Sequence, residues 1–361
     1  MEWCFAMPKI ELHAHLNGSI RDSTLLGLAK ALGEKGKIVF SEFEHVILNH
    51  DRSLREVFKL FDLIHMVTTD HEIVTRITKE VVEDFAAENV VYLELRTTPK
   101  RNDLVGMSKR SYVEAVVNGL RDVSTVEVNF SSCTTGGSLN PVCRNNACTG
   151  TAKKKIYVRL LLSIDRRETT EAAIETVKLA LEMRHLGVMG VDLSGNPIIG
   201  EWVTFLPALK FAQEQGLSVT LHCGEVPNME EIRRMLEFLP QRIGHACFLG
   251  EEEWKKLKSS KIPVEICLTS NVQTNTISSL DVHHFEDLYK SKHPIVLCTD
   301  DAGVFSTSLS KEYSIASSTF GIGKKEMFHL ARNAIDFIFA GDGVKEELKH
   351  IFDSAALKLD L

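Results

Sequence analysis

The 361-residue chain has no run of the ~18 uncharged apolar residues that a membrane-spanning helix needs. Met1 to Lys9 shows neither the basic start nor the sustained apolar core of a secretory leader. Positive charge is not in excess either. A formal net charge of −7 argues against a nucleic-acid polymer or an anionic membrane as the main partner, yet leaves room for a small phosphorylated ligand held by local basic residues. Cysteine is sparse at 8 residues, with no C-x-x-C pair, which speaks against a zinc knuckle and against the H-x-E with P-C-x-x-C deaminase fold. Cys223, Cys247, Cys267 and Cys298 lie inside apolar runs, where cysteine serves as a small hydrophobe. The expectation is a soluble cytoplasmic protein with reduced thiols, in which the N-x-S matches at Asn17 and Asn129 are coincidental.

Apolar residues make up 44% of the chain and charged residues 25%, enough for a large core. Eight short runs rich in Val, Ile and Leu end in polar residues: 10–16, 90–98, 156–165, 188–195, 217–225, 242–247, 262–271 and 295–301. Their apolar character is continuous instead of alternating, as in parallel strands covered on both faces. Helical periodicity fills the intervals 70–88, 108–123, 169–186, 202–215, 230–239, 251–259 and 324–340. This alternation predicts an α/β fold, a (β/α)8 TIM-type barrel in a single domain over 1–361. The long first interval, which includes a helical segment at 53–65, predicts a helical insertion after strand 1. The Ser-, Thr-, Gly- and Asn-rich stretch 129–155 predicts a disordered surface loop before strand 3.

In such a barrel the chemistry gathers at the C-terminal ends of the strands, and the unusual polar residues fall there. His13 and His15 are two apart, so on a strand both side chains point the same way. His222 and Glu225 end the fifth run, His245 the sixth, and Asp300 with Asp301 the eighth. Any one of these has a structural reading, as a satisfied core histidine or a capping aspartate. Together they would cost several kcal/mol to bury without a compensating metal or ligand. Imidazoles with a carboxylate suit zinc better than magnesium or calcium, which assigns His13, His15, His222 and Asp300 as ligands and leaves a position for water. Glu225 and His245 remain as acid and base candidates.

Several of these segments resemble the adenosine deaminase family of metal-dependent barrels: MPKIELHAHLNGS, DLSG, LHCGE, RIGHA and CTDD stand in the family's order, from residue 7 to beyond 301. The resemblance implies one Zn2+ on the same four ligands. It further implies that Glu225 gives a proton to N1 of a purine while water attacks C6. His245 would orient the water, take its proton and stabilise the charge that develops, and Asp301 would hold the water or the leaving amine. The backbone of Gly195 would contact purine N3, although a turn glycine ending a strand is an equally ordinary role for it.

Most adenosine deaminases carry R-Y-x-P after the second strand; here Arg96-Thr97-Thr98-Pro99-Lys100-Arg101 offers two hydroxyls and two cations around a proline. That suits a phosphate better than a bare ribose, with a solvated basic turn as the structural alternative. The wider pattern, LELRTTPK, IDRRETTE and DLSGNP included, is similar to the adenosine deaminase-like subgroup, and that resemblance implies hydrolysis of N6-methyl-AMP to IMP and methylamine. His15, Asn17, His65, Thr97, Thr98, Pro99, Lys100, Asp165, Gly195 and Asp301 would then line the site of a small purine nucleotide. Ala302 replaces the family's usual proline and, with Gly303, predicts a flexible turn. The alternatives are an adenosine or AMP deaminase of the same family, another metal-dependent hydrolase, and a catalytically silent nucleotide-binding protein. Glu225 three residues after His222 and the retained proton-transfer groups argue against the last two. The sequence leaves the oligomeric state open and is compatible with a monomer.

Overall fold

The computed structural model describes residues 1–50, 52–130 and 153–361, the side chain of Leu54 aside. Among them, β1 (Lys9–His15), β2 (Val90–Thr97), β4 (Lys155–Asp165), β5 (Val188–Ser194), β6 (Ser218–Cys223), β7 (Arg242–His245), β8 (Val264–Ile266) and β9 (Ile295–Leu297) pair in parallel in that order. A short β3 (Glu127–Asn129) lies alongside the start of β4. The barrel closes through a parallel bridge between Ala14 and Asp300, in which the His15 N–H donates to the Asp300 carbonyl (3.0 Å) and the Asp300 N–H to the His13 carbonyl (2.8 Å). The TIM-type expectation is met.

Helices cover the outside of the sheet, and their starts follow from ordinary capping chemistry. Asp70 accepts the Ile73 N–H at 2.9 Å, Ser108 that of Ser111 at 3.1 Å, and Asn228 that of Glu231 at 3.2 Å, each satisfying an N–H that the first helical turn leaves free. Between β1 and β2 lie the helices Asp22–Glu34, Phe40–Leu48, Leu54–Val67 and His71–Ala87, which is the predicted insertion together with the usual crossover helix. Ser53 and Glu56 form a reciprocal capping box at the start of the third. No helix of the described residues is long and apolar enough to cross a membrane.

Three boundaries differ from the sequence reading. The seventh run does not stay extended: β8 ends at Ile266 and Leu268–Gln273 is helical. The predicted loop 129–155 begins and ends in strand, since Asn129 and Lys155 belong to β3 and β4; its middle, 131–152, with Cys133, Cys143 and Cys148, lies outside the described residues. After β9 the chain adds helices at Leu309–Phe320 and Asp342–Leu359 that the periodicity did not reveal.

The barrel interior is ionic where an apolar filling is the usual solution. Fully buried Arg96 donates to Glu265 (2.9 Å), Asp192 (3.3 Å) and the Leu12 carbonyl (2.5 Å). Fully buried Arg242 donates to Glu265 (2.7 Å), Glu94 (2.5 Å) and the Phe337 carbonyl (2.7 Å), and stacks 3.6 Å over the Phe339 ring. Burial alone would raise the pKa of Glu265, but Arg96 and Arg242 hold it well below the usual carboxylate range. Removing one partner of such a set leaves a buried charge uncompensated. Arg242→Met is therefore expected to lower unfolding stability by about 3–5 kcal/mol, read as a fall in the urea midpoint. A midpoint within error of the parent would show that the pair contributes no net stability.

Candidate active site

The C-terminal ends of β1, β6, β7 and β9 bring the sequence-predicted metal residues together. His13 Nε2 and His15 Nε2 each lie 3.3 Å from Asp300 Oδ1, and His15 Nε2 is 3.1 Å from His222 Nε2. Ligand atoms of His13, His222, His245 and Asp300 all fall within 4.8 Å of one another, as do those of His15, Asp300 and Asp301. The cluster thus also draws in His245, which the sequence reading kept apart as an acid–base residue.

The orientation of the rings comes from behind. His13 Nδ1 lies 2.7 Å from Glu265 Oε2, and His222 Nδ1 3.0 Å from Asp192 Oδ1. A carboxylate can only accept, so the proton of each neutral ring sits on Nδ1 and the Nε2 lone pair faces the cluster. His13 Nε2 is buried there without a hydrogen-bond partner. An orphaned imidazole nitrogen, two further imidazoles and a carboxylate aimed at one point are the donor set of a divalent transition ion. Asp300 is fixed by its two barrel-closing backbone bonds and by Ser270, whose hydroxyl donates to Oδ2 at 2.6 Å. Asp300, His245 and Ala246 have φ of +63°, +66° and +56°, a left-handed region that costs non-glycine residues of order 1–3 kcal/mol each and is held only where surrounding contacts enforce it.

Glu225 follows β6, with Oε1 3.8 Å from His245 Nε2 and 23% of its side chain exposed. Burial pushes its pKa up against the pull of His222, which favours the protonated carboxyl that an acid needs. The Asp301 carboxyl is likewise pushed up, by burial and by its neighbour Asp300.

A second group of predicted residues gathers at another part of the rim. Lys100 Nζ lies 3.3 Å from His65 Nδ1 and donates to Thr68 Oγ1 at 3.0 Å. Asp165 accepts from the Arg167 guanidinium at 2.6 to 3.2 Å. Burial and the charge of Arg167 lower the Lys100 pKa to about 8, against the opposing pull of Asp165. His65 is lowered by burial, then by Lys100 and Arg167. Gly195, with φ +103°, lies against Asp165. Thr97 is buried and its hydroxyl is 2.8 Å from Tyr112 OH, which donates to Asn17 Oδ1 at 3.3 Å, so Thr97 and Asn17 are joined through a tyrosine. Thr98 and Pro99 connect this pair to Lys100.

The flexible turn expected at Ala302 and Gly303 is instead tied down. Arg52, 4% exposed, donates to the carbonyls of Gly303 (2.7 Å) and Val304 (2.8 Å) and to Ser306 Oγ (2.8 Å), while the Val304 N–H reaches the Gly18 carbonyl at 3.0 Å. Sequence reasoning missed Arg52, Asp192, Glu265, Ser270 and Asn271, and gave Arg167 no role beyond pairing with Asp165. Asp192 and Glu265 did carry a signal, because each is a lone acid inside an otherwise apolar run.

A family model described as adenosine deaminase matches residues 8–355. The chain belongs to the adenosine deaminase family. It is 67% identical over 356 residues to the N6-mAMP deaminase of Arabidopsis thaliana, covering 99% of each chain, and 38% identical over 354 residues to the N6-methyl-AMP deaminase of Homo sapiens, covering 95% of this chain and 92% of that one. Its structure superimposes on an Arabidopsis crystal structure complexed with IMP at a TM-score of 0.91, and on one complexed with GMP at 0.90, both 66% identical; the pairs cover 99% of each chain, and 98% of this chain with 99% of that one. The adenosine deaminase family is metal-dependent, and the His/Asp cluster is where an ion fits this member.

Gly244 on β7 gives the His13 ring its room, since a Cβ there would stand 2.7 Å from Cε1 and 3.0 Å from Nδ1 of an imidazole already pinned by Glu265. Gly244→Ala is expected to weaken metal binding by about 10–100-fold with the far-UV circular dichroism unchanged. Metal analysis after dialysis against a graded chelator checks this, and undiminished retention would show that the ring position is not critical.

Proposed function

We propose that this chain is a zinc-dependent hydrolytic deaminase of N6-methyl-AMP, forming IMP and methylamine in nucleotide salvage or catabolism, with 1–361 as one catalytic domain. The observation that carries the substrate is the rim cluster of Lys100, His65 and Arg167. Two invariably or largely charged cations and an imidazole beside Thr68 suit a phosphate dianion and have no counterpart in what a nucleoside requires. The names of the Arabidopsis and human relatives and the IMP and GMP complexes of the Arabidopsis structures support the same reading.

His13, His15, His222 and Asp300 would hold the ion, whose Lewis acidity makes water a nucleophile at neutral pH. Glu225, whose pKa is pushed up by desolvation, donates to purine N1, which draws electron density from the ring and makes C6 electrophilic. His245 and Asp301 flank the attacking water and share the tasks of orienting it and handling its proton. Of that water's two protons, one leaves with the departing methylamine and one returns to Glu225, so the enzyme ends each cycle as it began. The Gly195 backbone contacts N3. Asn17, Thr97, Thr98, Pro99 and Lys100 line the sugar–phosphate side, and Asp165 keeps Arg167 in place. A cytosolic setting accords with the free thiols of Cys4, Cys223, Cys247, Cys267 and Cys298.

The test is product formation by purified, zinc-loaded protein on N6-methyl-AMP, AMP, N6-methyladenosine and adenosine, followed as IMP or inosine. Turnover of N6-methyl-AMP well above the others is expected; preference for adenosine would overturn the substrate and leave the barrel and family intact. Lys100→Ala should raise KM for N6-methyl-AMP by roughly 10–100-fold, the worth of a charged hydrogen bond, and leave KM for any nucleoside turned over nearly unchanged. Equal effects on both would remove Lys100 from phosphate binding. A lysine with a pKa near 8 is charged below that pH and neutral above it, so KM for the monophosphate should rise as pH passes upward through about 8 in the parent but not in the alanine variant. A bound dianion pulls that pKa upward, so the effect belongs to the free enzyme and is read in kcat/KM.

A further inference from the structure

His245 differs from the other histidines of the cluster in what stands behind it. His13 and His222 turn Nδ1 to carboxylates, whereas His245 Nδ1 lies 3.1 Å from the side-chain amide of Asn271. Which atom of that amide faces His245 decides which nitrogen of His245 carries the proton. A chain of bonds with one possible direction settles it. The Phe285 backbone N–H, which can only donate, meets His283 Nδ1 at 3.0 Å, so Nδ1 is an acceptor and the proton of the neutral His283 ring sits on Nε2. His283 Nε2 is 3.2 Å from Asn271 Oδ1, which accepts it. Asn271 therefore presents its NH2 to His245, whose Nδ1 must accept. The neutral His245 ring is left with its proton on Nε2, the nitrogen 3.8 Å from Glu225 Oε1.

The same segment grips His245 a second time. His284 Nε2 donates to the His245 carbonyl at 2.7 Å, and the His284 ring stacks on His283 with centroids 4.4 Å apart and planes 19° from parallel. His245, in its left-handed backbone conformation, is thus held at its ring by Asn271, which His283 orients, and at its carbonyl by His284, all three buried.

We propose that His283, through Asn271, sets the tautomer of His245 so that Nε2–H points at the reacting centre, and that His245 is a hydrogen-bond donor to the attacking oxygen and not the base that deprotonates it. His283, His284 and Asn271 are positioning residues. The inference rests on the deaminase reading above and divides the labour left shared there. The proton lost by the attacking water leaves with the departing amine, as set out above, while His245 keeps its own proton throughout. A donor fixed before substrate arrives stabilises charge building on oxygen without reorganisation, the arrangement that makes oxyanion sites effective.

The tautomer can be read without any substrate. In zinc-loaded protein labelled with 15N-histidine, long-range 1H–15N correlation near neutral pH, with the His245 signals assigned by their loss in His245→Gln, is expected to show a protonated Nε2 and a bare Nδ1. A bare Nε2 overturns the proposal whatever the enzyme turns over. The near-isosteric Asn271→Leu removes the amide and should leave His245 a mixture of tautomers, lowering kcat about 10²-fold with KM within about threefold of the parent on whichever purine the parent prefers. If the tautomer is lost and kcat is unchanged, the donor role is wrong. His283→Leu, one step further from His245, should move both readouts in the same direction by less, and serves if Asn271→Leu does not fold. Failure of the parent to act on N6-methyl-AMP would fall on the substrate assignment and leave the spectroscopic result standing.

Discussion

Glu265 sits with no exposed surface where four donors meet its two oxygens: His13 and Arg96 on one, Arg242 and Thr220 on the other. A carboxylate taken out of water is costly unless its lone pairs are all used, and here they are. The barrel's ionic interior is organised around this need. Arg96 and Arg242 set two cations against the three carboxylates of Glu265, Glu94 and Asp192, and Glu265 and Asp192 each still have an oxygen to offer the backs of His13 and His222. The His/Asp cluster is the outward face of this hydrogen-bonded ionic core, so the geometry of the site follows from how the interior is satisfied.

This dependence explains what was and was not legible in the sequence. The strands were legible because buried parallel strands must be apolar on both faces, and the site because His13, His15, His222, His245 and Asp300 interrupt such runs at their ends. The supporting acids were less so. Glu265 and Asp192 sit inside apolar runs as visibly as His222, but pairing them with Arg96 and Arg242 requires the closed barrel: β7 adjoins β8, whereas Arg96 on β2 reaches Asp192 on β5 and Glu265 on β8, neither of them a neighbouring strand. The extended reading of Cys267 to Asn271 failed because LTSN has no helical periodicity of its own; it is helical because the chain turns after β8, and that turn aims Ser270 at Asp300 and Asn271 at His245. Gly303 was read as a source of flexibility because a glycine next to an alanine says nothing of Arg52, some 250 residues earlier, which bonds to that turn.

The phosphate-side residues show the opposite limit. Lys100 stood out as a basic residue after a strand, yet its setting comes from three different segments: His65 and Thr68 from the insertion, Lys100 from the turn after β2, and Asp165 with Arg167 from the turn after β4. The helical insertion accordingly supplies part of the rim, and a reading that treated it as a spacer would have missed a third of the cluster.

The bridge that closes the barrel runs through Ala14 and Asp300, and its two hydrogen bonds are made by the backbones of His13, His15 and Asp300. The first and last strands are the most widely separated in sequence of the paired strands among the described residues, and joining them is the step with the greatest loop-closure entropy. Completing the cylinder and assembling the ligand set are therefore one event, and a partly folded chain holds only fragments of the cluster. An ion bound across this seam would act as a clasp, favouring the closed cylinder by mass action and tying the global stability of the protein to metal supply.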